Sequence, residues 1–123
     1  MNKVTTVARI LMGAAFVVFG LNGFLHFLPD HELPERARVV ITSFVQTGYL
    51  MPLVKGTEVV GGALLLTGVA VPLALILLAP VLVNIFLFHL MLAPDGLGLA
   101  VVFGACELVL ARAYWSRFRS LFS

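Results

Sequence analysis

The sequence predicts an all-α integral membrane protein: a four-helix bundle in up-down-up-down order, with a short extracytoplasmic amphipathic helix between spans one and two. Three observations lead there. Of 123 residues, 61% are hydrophobic and 11% charged, with mean hydropathy +1.09, whereas a soluble domain carries about 25% charged residues. A chain this short has no aqueous core large enough to bury so much apolar surface. The apolar residues also fall into four runs near the ~20 residues that cross a bilayer, separated by breaks that carry Pro, Gly or Asp.

The first run extends from about Val4 to Leu28 and stops at Pro29-Asp30. Lys3 and Arg9 precede its most apolar part, as in a secretory signal, but "LHFLPDH" offers no small-residue cleavage site, so the segment is read as retained. The connection "PDHELPERARVVITSFVQTG" begins polar and becomes amphipathic, with Val40, Ile41, Phe44 and Val45 on one helical face. Pro34 suits the start of this helix and Gly48 its end; a short helix at the membrane surface or over the bundle is expected. The second span covers about 50–71, the third 72–93 and the fourth 97–114. "TGVAVP" and "APDGLG" are tight turns by composition. Together the four spans make one transmembrane domain over 1–123, and as helices they satisfy their own backbone groups, as lipid requires.

Basic residues set the orientation. Lys3, Arg9, Arg112, Arg117 and Arg119 fall on one side and Arg36 and Arg38 on the other, with Lys55 just inside a span. The positive-inside rule then puts both termini in the cytoplasm. Tyr114 and Trp115 become inner-interface anchors and Tyr49 an outer one. The net charge of +2 and pI near 9.1 come mostly from the two ends of the chain, which fits membrane orientation and not nucleic acid. One cysteine, Cys106, allows neither an internal disulfide nor a dithiol redox pair.

Polar residues inside the spans are the candidate site. A central charged side chain costs roughly 2.5–3.5 kcal/mol on insertion scales, so such groups face the bundle interior and pair. They are Asn22 and His26 in span one, Lys55 and Glu58 in span two, Asn84 and His89 in span three, and Glu107 in span four. Asn22 and His26 are four apart, about 40° around a helix. Most of the set falls at one depth, in the outer half; Glu107 is deeper. Lys55, Glu58 and Gly62 share one face, as do Gly104, Glu107 and Ala111, and small residues on a face mark close helix approach. "LNGFLHFLPD" with "GTEVVGG", and "VNIFLFHLMLAPDG" with "GACELV", resemble a short parallel internal repeat, with His89 one residue further from its Asn than His26.

His, Glu and Asn in a bundle interior relay protons, bind a metal, hold a polar head such as a quinone carbonyl, or only tie helices together. No Glu-x-x-His pair is present, so no metal is predicted. Phosphate-loop, dinucleotide, zinc-protease and serine-hydrolase motifs are absent, and no catalytic residue is assigned.

The words "RILMGAAFVVFGLNGFLHFLP", "TGYLMPLVKGTEVVGGALLLTG" and "PLALILLAPVLVNIFLFHLMLAP" resemble the DoxX-like family of small four-helix bacterial membrane proteins. The resemblance implies a bundle in the bacterial inner membrane. Some relatives are named as subunits of a thiosulfate:quinone oxidoreductase or as partners of membrane oxidoreductase complexes, and more distant ones are linked to membrane-protein assembly. The leading expectation is a quinone-interacting, redox-linked subunit that depends on a partner or bound cofactor, because the sequence carries no redox centre. The alternatives are a non-enzymatic scaffold or assembly factor, and a small-solute carrier built on the repeat. A homo-oligomer is also expected, since 123 residues give a thin bundle.

Overall fold

The computed structural model describes residues 2–29 and 32–119. Asp30, in the expected Pro-Asp exit, and Ser120, beyond the C-terminal arginines, lie outside the described residues. Every regular element among them is helical: α1 (Lys3–Leu25), α2 (Glu35–Gln46), α3 (Leu50–Thr67), α4 (Val71–Met91), a 3₁₀ turn (Pro94–Gly96), α5 (Leu97–Ala113) and α6 (Trp115–Phe118). The four long segments are long and apolar enough to cross a membrane, and the chain is a multi-pass membrane protein. Outward-facing Val7, Leu11, Val18, Leu73 and Leu108 are exposed, as lipid-facing side chains are.

Local chemistry explains the helix boundaries. Asn2 caps α1, its side-chain oxygen accepting the Thr5 N–H at 2.8 Å. α3 stops at Gly68, whose φ of +73° suits glycine. Ala70, also left-handed at φ +49°, then turns the chain into α4, which carries Pro72 in its first turn. Pro80 sits inside α4 and removes one backbone hydrogen bond there.

α1 is three residues shorter than the sequence predicts. It ends at Leu25, and His26 adopts the left-handed conformation (φ 51°, ψ 48°) as its C-cap. The hydrophobic run continues through Phe27 and Leu28, which is why composition alone overran the end. α3 likewise stops at Thr67 and not at residue 71.

The tightest packing is between α1 and α3. A Cβ added at Gly13 would lie 2.9 Å from Gly62 O, one at Gly62 would lie 2.8 Å from Gly13 O and Val17 N, and one at Gly20 would lie 2.9 Å from Lys55 O and Val59 N. Residue numbers rise on α1 as they fall on α3, so these two helices run antiparallel with backbones in contact. The Arg9 guanidinium closes the far end of this pair. Its Nη1 donates to Leu65 O and, at 3.2 Å, to Leu66 O, satisfying carbonyls at the α3 C-terminus where positive charge is favourable. The apolar core gathers Met12, Phe16, Leu65, Leu75, Leu78 and Leu110. The Phe16 and Phe103 rings meet at 5.4 Å between centroids, within the range aromatic pairs prefer.

The second small-residue face behaves differently from the sequence expectation. A Cβ at Gly104 would meet nothing within 4 Å, so the Gly104–Glu107–Ala111 stripe makes no close backbone contact at that glycine. Of the three expected interface aromatics, Tyr114 is buried, while Trp115 and Tyr49 are exposed.

Candidate functional site

Toward one end the helices part around a cavity of about 360 Å³, within the ~300–1,000 Å³ typical of ligand pockets. The end of α1, the start of α3, the end of α4 and the start of α5 form its walls, with Ile41 and Phe44 of α2 beside them. α2 presents Ala37, Val40, Ile41 and Phe44 inward, whereas Val45 is 58% exposed and not on the inner face as the sequence pattern predicts. Phe16, Phe19, Phe88 and Phe103 add aromatic lining. No polar pattern marked these rings; their one sequence signal was clustering near the polar residues.

Five of the seven candidate residues line this cavity: Asn22, Lys55, Glu58, Asn84 and His89. His26 and Glu107 do not. Lys55 Nζ lies 3.4 Å from Glu58 Oε1, with side chains 25% and 4% exposed respectively. The Lys55 stem lies against Gly23 of α1, whose missing side chain leaves the room for it. An ion pair of this kind offsets the cost of carrying two charges into a span.

Asn22 has a structural duty. Its side-chain oxygen accepts the Leu28 N–H at 2.8 Å, and its backbone oxygen accepts the His26 N–H at 2.8 Å. It therefore satisfies the chain as it leaves α1. His26 points off the expected stripe because the helix has already ended, and it is exposed. Asn84, by contrast, has no hydrogen-bond partner among the described residues; it lines the cavity but is exposed, and not enclosed in the bundle interior as the sequence predicts.

His89 keeps its helical position in the last turn of α4. Its Nδ1 lies 2.9 Å from Ile85 O; a carbonyl only accepts, so Nδ1 carries the hydrogen and Nε2 is left for other partners. The repeat partners His26 and His89 thus differ in local structure, one outside its helix and one within. Glu107 lies in α5 away from the cavity, and its Oε1 is buried without a hydrogen-bond partner among the described residues. Among those residues no three His, Cys, Asp or Glu side chains gather as a metal site.

The family model DoxX matches residues 4–90, more than half of the chain. The chain belongs to the DoxX family. The match spans α1 to the end of α4 and so includes Asn22, Lys55, Glu58, Asn84 and His89 of this DoxX protein. No curated protein and no solved structure matches the chain.

Proposed function

We propose that this DoxX protein is a quinone-binding subunit of a bacterial inner-membrane redox system, with the head of the quinone held in the interior cavity. The observation that carries this reading is the cavity itself. A purely structural polar cluster would be closed by direct hydrogen bonds; here space separates the groups, and only Lys55 and Glu58 pair directly among the described site residues. The groups fit a ring bearing two carbonyls. The Lys55 ammonium and the unpartnered Asn84 carboxamide are donors, the Glu58 carboxylate is an acceptor for hydroxyls, and phenylalanine rings cover the apolar remainder. A quinone, when bound, would supply two-electron chemistry, and a partner oxidoreductase would exchange the electrons.

Purification in mild detergent followed by lipid extraction tests the reading. Quinone should accompany the wild-type protein and be depleted in an Asn84→Leu variant that melts normally. A folded wild-type protein free of quinone after gentle extraction would instead favour the scaffold role.

The proposed orientation places both termini in the cytoplasm and residues 32–49 outside. In a Cys106→Ala background, a cysteine at Glu32 should react with an impermeant thiol reagent added to intact cells, and one at Arg119 only after the membrane is opened. Labelling of position 119 from outside would reverse the orientation.

A further inference from the structure

A second cavity, of about 380 Å³, adjoins the first at the connection end of the bundle and is lined by Glu32, Pro34, Asp95 and Ala93 among others. Two residues line both cavities: His89 and Gly96. The interior cavity holds the Lys55–Glu58 pair, and the second holds two carboxylate residues from the connecting segments. The imidazole therefore stands between the partly exposed Lys55–Glu58 pair and a vestibule whose lining includes two carboxylates.

Gly96 explains how the ring fits. A Cβ at this position would overlap His89 Cδ2 and Nε2. The Gly96 backbone (φ −92°, ψ 2°) is one that any residue adopts, so the turn does not call for glycine on conformational grounds. Its missing side chain makes room for the ring. The hydrogen bond from Nδ1 to Ile85 O holds one edge of that ring, and Nε2, seated over Gly96, has no partner among the described residues.

We propose that His89 is the proton-exchange residue between the vestibule and the interior cavity. Nε2 accepts a proton from vestibule water, giving the imidazolium. A small rotation over Gly96 presents the same N–H to the interior. The proton passes to the Glu58 carboxylate, directly or through water, and the neutral imidazole returns. Charge is conserved at each step: one proton leaves the vestibule and Glu58 becomes a neutral acid, releasing its partner Lys55. Among the described residues, the charged or titratable groups around this path are Glu32 and Asp95 on the vestibule side and Lys55 and Glu58 on α3; the α1, α2 and α5 residues lining the interior cavity add none. The inference takes the cavity as its stage but is independent of what ligand occupies it.

The test uses ligand-free protein in lipid nanodiscs. The infrared carbonyl band of protonated Glu58, assigned by its loss in Glu58→Gln, is followed after an acid jump. It should rise quickly in wild type. His89→Phe keeps an aromatic wall without a titrating nitrogen and should slow the rise by about 100-fold, the low end of what a positioned acid–base group contributes. His89→Ala opens the wall to water and should restore fast exchange. Gly96→Ala keeps the imidazole but forces it off its seat; it should slow exchange as well and covers the case in which His89→Phe fails to fold. An unchanged rate in both His89→Phe and Gly96→Ala, equal slowing in His89→Phe and His89→Ala, or no Glu58 band at any accessible pH would each overturn the proposal. Loss of quinone binding with proton exchange intact would count against the ligand assignment alone.

Discussion

Replacing Gly62 with valine should unfold the bundle more readily than any other single change at a glycine in its helices. The new Cβ would lie 2.8 Å from Gly13 O and Val17 N, and both are backbone atoms of a long helix that has no rotamer to change. Relief requires α1 and α3 to separate along their shared face, which also disturbs the Gly20 contact and the Arg9 clamp on the α3 carbonyls. The cost should be about 3 kcal/mol, the upper end for overpacking. Gly56→Ala in the same helix is the contrast. Nothing lies within 4 Å of its added Cβ, so the variant should be neutral or gain up to ~1 kcal/mol from helix propensity. Thermal melts in one detergent decide the matter: similar melting for Gly62→Val and wild type would mean that the two backbones are not in contact.

The second large effect is expected at Glu58. Glu58→Leu leaves the Lys55 ammonium in the span without its 3.4 Å partner, whereas Glu58→Gln keeps an oxygen that accepts from it. Loss of a charged hydrogen bond inside protein costs about 1.5–3 kcal/mol. The quarter exposure of the Lys55 side chain lets the ammonium find other solvation, which places the leucine variant near the lower figure. The glutamine variant should be milder in melts, yet both should weaken ligand retention, because both remove the anionic acceptor from the cavity. Equal melting of the two variants would show that Lys55 draws nothing from this partner.

The sequence makes the helices easy to read and the ends of the helices hard. Four apolar runs and an amphipathic connector follow from hydropathy and spacing, because lipid admits few other solutions. The end of α1 does not. His26 takes a left-handed conformation that most residues avoid, and nothing in "GFLHFLP" marks position 26 as the stop. The stripe of Asn22 and His26 assumes a helix that continues, and in the folded chain Asn22 instead serves the exit. The polar residues of α3 and α4 are legible as cavity-lining because leaving them in lipid is costly, although only Glu58 is buried and Asn84 stays exposed. Their arrangement around a space, and not against one another, depends on how the helices diverge. Small-residue spacing is ambiguous for a similar reason. Gly62 and Gly104 stand in like patterns with a glutamate, yet one meets a backbone and the other meets nothing within 4 Å. A periodic pattern names a face but not whether a neighbour occupies it. Arg9 reads in the sequence only as a topology signal and Gly96 only as turn composition; their contacts with the α3 carbonyls and the His89 ring come from the packing.

Pro80 gives the cavity a property that a static volume does not convey. Below it, Leu78 of α4 is seated on Gly61 of α3; beyond it lie Asn84, Ile85, Phe88 and His89, the α4 contribution to the cavity wall. A missing hydrogen bond at this point makes a helix easier to bend. The opposite wall has no such freedom, since α1 and α3 are joined backbone to backbone. The bundle is therefore mechanically lopsided, a stiff pair facing a compliant jaw. Compliance concentrated there lets the site change its width at small cost without loosening the core beneath it, and the same flexing carries His89 along, coupling the size of whatever the cavity holds to the position of the ring in its wall.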